Sequence, residues 1–238
     1  SGMHINIIVI ISMYILLALK VGKGKTGMII QLVFVWFFVF MTGFGLSGIR
    51  AAIVITLLYL SHFLSRDADS LNSLGFAALI ILVLNPAAYF SVGFRLSFLS
   101  TGAILVFAKD IRRNISVLPG AIGESVAVTL SAQIGTLPVI SQSFGTVGVF
   151  TVLANVIICP VLIILMAIII IALFIGSVPF IGAGAVWVAD IAVLGIIKTA
   201  EIIAKLPFST IDVFSISGSA ALVYVIFGAS LKMFLIKS

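Results

Sequence analysis

The chain has 238 residues, 63% hydrophobic and only 8% charged, with a mean hydropathy of +1.41. A soluble domain carries roughly 25% charged residues, so this composition excludes that class and points to a multi-span membrane protein. The net charge of +6 reads first as loop lysines and arginines that set orientation, ahead of any attraction for nucleic acid.

No initiator Met and no signal-peptide n-region open the chain, and the first apolar run begins four residues in. Residues 1–238 are therefore read as one membrane domain, a fragment of a longer protein. The first candidate span is 5–21, followed by a loop in which Lys20, Lys23 and Lys25 cluster, the best cytoplasmic marker in the chain. Gly24, Lys25 and Thr26 imitate a nucleotide loop. A Walker pattern needs glycine where Leu19 stands, and a strand before it, so that reading is rejected.

A second span covers 27–44, and Gly43, Gly45 and Gly48 make a flexible corner. The third span, 49–65, carries Arg50 at its start, and the segment after it reads first as a solvated turn, with Asp67 and Asp69 as the alternative caps of the helix that follows. That helix, 71–84, is too short to cross alone and stops at Asn85-Pro86, which suggests a half-helix or re-entrant element. Residues 93–108 form the next span, with Gly93 and Arg95 at its start, and KDIRRN after it reads as a second basic loop with Lys109, Arg112 and Arg113.

Residues 125–139 carry Gln133 and end at Pro138, and 141–148 read as a polar turn. The long apolar run 149–175 holds Asn155 and Cys159 and is interrupted by Pro160. One cysteine excludes a disulfide framework, a Cys-rich zinc site and a CxxC pair within the chain, so Cys159 is read as packing. Residues 182–206 form the one strongly amphipathic helix. Asp190, Lys198, Glu201 and Lys205 lie within about 80° of one another on it, and it either lies in the interface or spans. A loop with strand-like alternation, 207–218, leads to a final span, 219–236, ending with Lys232 and Lys237. The fold class is thus all-α: a polytopic transmembrane bundle with kinked, short or re-entrant helices. Pro86, Pro138, Pro160 and Gly93 are the breaking or structural positions.

An enzyme is not expected. Seven acidic residues and two histidines, His4 and His62, form no HExxH, no paired-carboxylate spacing and no nucleophile elbow, and no metal or cofactor is implied. A polyanion path fits better. Phosphates need cations or amide donors, and bases need aromatic or apolar faces. A cation at bilayer depth is costly unless it faces protein or a water-filled cavity. Arg50 and Arg95 are the candidate cations, and Gln133, Asn155 and Asn85 the neutral donors, with Phe90, Phe94 and Phe98 near Arg95.

The ordered motifs resemble a known family. Ser1-Gly2-Met3-His4 is similar to its SGLH, and LSGIRA at 46–51 to its S-x-x-R-A element. Asp69, Asn72, Ala77 and Leu84-Asn85-Pro86 resemble its D-x-x-N … A … NP run. Gly93-Phe94-Arg95-Leu96-Ser97-Phe98 resembles GFQLSF, with Arg95 where glutamine is usual. Ala132-Gln133, Thr136-Leu137-Pro138 and Phe144-Gly145 match AQ … TLP … FG; Ala154-Asn155 with Pro160 and Leu206-Pro207-Phe208 complete the series. The chain thus resembles the membrane domain of the ComEC family of bacterial DNA-uptake channels. The resemblance implies a multi-pass protein of the bacterial cytoplasmic membrane that passes single-stranded DNA inward during natural transformation. It also implies partners: other uptake proteins, a separate cytoplasmic motor, and a nuclease domain or partner outside this chain. A small-solute or lipid transporter and a structural scaffold are the alternatives. Positive-inside counting puts the C-terminus in the cytoplasm, whereas a nuclease domain acting outside would require the opposite, so its orientation stays open.

Overall fold

The computed structural model describes residues 12, 24–64, 69–175, 181–206 and 209–212. The expected spans 5–21 (Ser12 apart) and 219–236, together with His4, Asp67, Lys232 and Lys237, lie outside the described residues. The elements are α1 (Lys25–Met41), α2 (Leu46–Phe63), α3 (Ser70–Leu84), a 3-10 turn (Pro86–Phe90), α4 (Val92–Asn114), α5 (Gly120–Phe144), β1 (Thr146–Gly148), α6 (Thr151–Ile175), α7 (Ile181–Ala204) and β2 (Thr210–Asp212). They fall into two compact units, Ser1–Phe98 and Leu99–Ser238.

In the first unit, α1 packs on α2 around Val35, Val39, Ala51, Ala52 and Ile55. Polar side chains inside this apolar pair find one another: Trp36 Nε1 donates to Thr56 Oγ1 at 3.1 Å, and the Tyr59 hydroxyl donates to Gln31 Oε1. The corner between them is tighter than three glycines suggest. Gly43 takes φ 75° and Phe44 φ 54°, while Gly48 is already inside α2. A non-glycine residue at positive φ is uncommon. Here the Phe44 N–H donates to Val39 O at 3.0 Å and its ring meets Phe40 edge-on.

Asp69 caps α3 as its sequence position implies, accepting from Leu71 N and Asn72 N. Proline disfavours helical geometry in the residue before it, so Asn85 is extended and α3 stops at Leu84. Its 15 residues span about 22 Å, short of the roughly 30 Å hydrocarbon core. The 3-10 turn then brings Ala88 against Ile53, Ala77, Ile81 and Phe94, a second core.

In the second unit two expectations are corrected. The KDIRRN segment is not a loop but the last turns of α4, where basic side chains face the negative end of the helix dipole. Arg112 donates to Ile115 O at 3.2 Å and to Leu118 O at 3.4 Å, clamping the connection to α5. Nor does α5 end at Pro138: it starts at Gly120, passes through Pro138 and closes at Phe144, with Gly145 left-handed behind it. In lipid, breaking a helix exposes backbone that nothing else can bond, and hydroxyls help to satisfy what a proline disturbs. Thr136 Oγ1 donates to Ala132 O and Ser141 Oγ to Pro138 O. Pro160 likewise lies inside α6. α6 packs on α7, and β1 pairs antiparallel with β2, Thr146 opposite Asp212. The strand-like alternation read over 207–218 is thus realised over 210–212 among the described residues.

The outer surface is apolar, unlike that of a soluble protein: Val33, Phe37, Phe40, Val83, Ile164 and Trp187 are exposed, while Ser131, Ser141, Thr129, Thr136 and Gln31 are buried alongside the apolar cores. By length and composition α4 and the 151–169 stretch of α6 can each cross a membrane. The chain is an all-α membrane protein. Asp190, Lys198 and Glu201 on α7 and Lys205 just after it are all exposed.

Small residues set the closest approach. A Cβ built on Gly135 would stand 2.5 Å from both Leu99 O and Ala103 Cβ, so α5 lies directly on the α4 backbone there. Gly135→Ala is therefore expected to destabilise the protein by about 1–3 kcal/mol through overpacking. Gly75→Ala, in open space on α3, is expected to be neutral or to stabilise by about 1 kcal/mol. Thermal unfolding in lipid nanodiscs checks both.

Candidate functional site

The candidate polar residues divide between the two units: Arg50, Asn85 and Arg95 in the first, Gln133 and Asn155 in the second.

In the first unit, Arg50 sits in the second turn of α2, and its Cζ lies 5.9 Å from the Phe98 ring centroid. Within about 6 Å the negative face of a ring attracts a guanidinium. Phe98 stacks in turn on Phe94, one turn earlier on α4, with ring centroids 4.5 Å apart at 39°. Arg95 follows Phe94 on the same turn. Its Nε is buried and has no hydrogen-bond partner among the described residues. The described carboxylate of this unit, Asp69, is committed to capping α3. The Arg50 guanidinium and the Phe94–Phe98 ring pair thus meet where α2 and the start of α4 pack, with Arg95 next in sequence to Phe94. Asn85 does not join it: it is exposed at the break between α3 and the 3-10 turn, and its carbonyl accepts from Ala88 N. Phe90 is exposed and meets Tyr89 edge-on rather than the Phe94–Phe98 pair.

In the second unit, Gln133 and Asn155 line one cavity of about 170 Å³ at the corner where α5 turns through β1 into α6. Thr129, Thr136 and Thr151 supply the other polar groups. Leu137, Ile140 and Val147 form the apolar walls. Asn155 Nδ2 donates to Thr129 Oγ1 at 3.4 Å, and Thr151 Oγ1 donates to Gly148 O at 2.8 Å. None of the lining side chains is ionisable. Thr129 and Thr151 are not among the residues singled out from sequence, and Thr136 enters there only as part of a motif, because a threonine in an apolar run carries no signal until its helix face is known. The spacing of Thr129, Gln133 and Thr136 did hold that signal, since positions four and three apart share one face.

His62 is exposed in the last turn of α2, and Cys159 is half-buried with a free thiol. Among the described residues no group of three or more His, Cys, Asp or Glu is placed to hold a metal ion.

Removing the Thr129 hydroxyl leaves the Asn155 amide short of a partner inside the bundle. Thr129→Val and Asn155→Leu are each expected to lower stability by about 1 kcal/mol, and the double variant by less than their sum. A double-mutant cycle on thermal unfolding in nanodiscs checks this.

The family model described as Competence protein matches residues 1–237. ComE operon protein 3 of Bacillus subtilis (strain 168) is 26% identical over 160 residues. That stretch is 67% of this chain and 20% of the relative, so the chain spans about a fifth of the length of the protein it matches. No solved structure matches the chain.

Proposed function

The chain belongs to the Competence protein family, and on that premise we propose that it carries single-stranded DNA across the bacterial cytoplasmic membrane during natural transformation. The observation that carries the reading is the Arg50 guanidinium over the Phe94–Phe98 ring pair, with Arg95 beside Phe94 in the chain. Guanidinium groups and aromatic faces together offer a strand what it needs, cations for phosphates and flat surfaces for bases. Arg95 occupies the position where glutamine is usual in the resembling motif, so this chain places a full charge where relatives of that pattern place a neutral donor.

Residues 1–238 act as one multi-pass membrane domain of a longer protein, a reading supported by a family match that runs unbroken through both units. The domain is a conduit rather than an enzyme. Energy comes from a separate cytoplasmic motor, and any strand cleavage from a nuclease domain or partner outside this chain. A small-solute transporter is the rival reading, and the neutral cavity in the second unit is what favours it. Solute flux into liposomes that DNA does not compete with would support that rival.

Two measurements test the conduit. At normal protein levels, Arg50→Ala and Arg95→Ala are each expected to lower DNA uptake at least about tenfold, the scale of losing one desolvated charge contact. Uptake unchanged in both overturns the reading. In nanodiscs, single-stranded oligonucleotide binding is expected to weaken with salt, and Arg95→Ala to reduce the log–log slope by about 0.7, one phosphate contact.

A further inference from the structure

We propose that the cavity at the α5–β1–α6 corner is a pocket for a single nucleobase of the translocating strand, distinct from the phosphate-binding arginines. The inference rests on the conduit reading and assigns a second, chemically different subsite.

Three observations carry it. First, the cavity holds no charge. Its surface is mostly apolar, two of its three threonine hydroxyls are spent on backbone carbonyls and its two amides are neutral, so it has nothing to neutralise a phosphate and suits a neutral, largely apolar ring. Second, its size is that of one ring. A cavity of about 150 Å³ accepts benzene, and this one measures about 170 Å³. It falls well below the roughly 300 Å³ at which pockets begin to take whole drug-sized molecules. One six-membered heterocycle fits, without its sugar and phosphate. Third, the lining pairs flat apolar walls, Leu137, Ile140 and Val147, with amides on two facing helices. Gln133 and Asn155 each carry a donor and an acceptor. Asn155 uses one of its two Nδ2 protons on Thr129, which anchors the amide.

Amides of this kind pair with the edge of either pyrimidine by offering either end, and a pocket of this size takes thymine or cytosine rather than a fused purine ring. The pocket lies beside β1, along the second half of α5 from Thr129 to Ile140 and against the first turns of α6.

The test uses the full chain in nanodiscs and two fluorescent probes with equal phosphate counts, an oligothymidine and its abasic analogue. Oligothymidine is expected to bind about 5- to 10-fold more tightly, the scale of one or two hydrogen bonds. Gln133→Leu is expected to abolish that difference by weakening only the oligothymidine. Ala132→Leu, which fills the cavity without touching a polar group, is expected to do the same and guards against a Gln133 variant that fails to fold. Arg95→Ala is expected to weaken both probes equally. Equal binding of the two probes by the unsubstituted protein overturns the base pocket while leaving the phosphate path standing. Binding of neither probe overturns both.

Discussion

Inside a lipid-facing bundle a peptide group or hydroxyl has no water to turn to, and the structure follows from that constraint. Each unpartnered backbone group in hydrocarbon costs several kcal/mol. Helices therefore persist where soluble-protein habits would end them. α5 runs through Pro138, α6 holds Pro160, and α4 carries its basic residues in its last turns. Serine and threonine bond back to carbonyls one turn earlier, as Ser131 does to Ala127 O at 2.7 Å. Only Pro86 marks a real stop among the described prolines that lie within apolar runs, and there the 3-10 turn takes over the bonding at once.

The same solvent removes the hydrophobic drive between helices, because lipid tails are as apolar as leucine. Contact must come from close packing and from polar pairs. The α1–α2 pair shows both, with Ala51 and Ala52 at the seam and the Trp36–Thr56 and Tyr59–Gln31 bonds across it. In the second unit Gly135 lets α5 rest on the α4 backbone, and Gly123 leaves room for the Arg112 guanidinium, whose Cζ a Cβ there would meet at 2.8 Å. The glycines of this chain are thus not all corners, and two of them are contact surfaces.

The interior polarity comes in two kinds. The first unit concentrates positive charge beside stacked rings; the second gathers neutral amides and hydroxyls around a small cavity.

The sequence by itself determined the membrane class, the helical fold, the family and the stop at Asn85-Pro86, because composition, apolar run length and the geometry of proline act locally. It also identified Arg50, Arg95, Gln133 and Asn155 as unusual, since a polar residue in an apolar run stands out wherever it points. Only the tertiary structure decided which of them belong together. Gln133 and Asn155 line one cavity together with three threonines, Arg50 meets Phe98 across two helices, and Asn85 stays outside at an exposed turn. The reason is physical: which face of a helix turns inward is settled by how neighbouring helices pack, and that packing depends on residues distant in the chain.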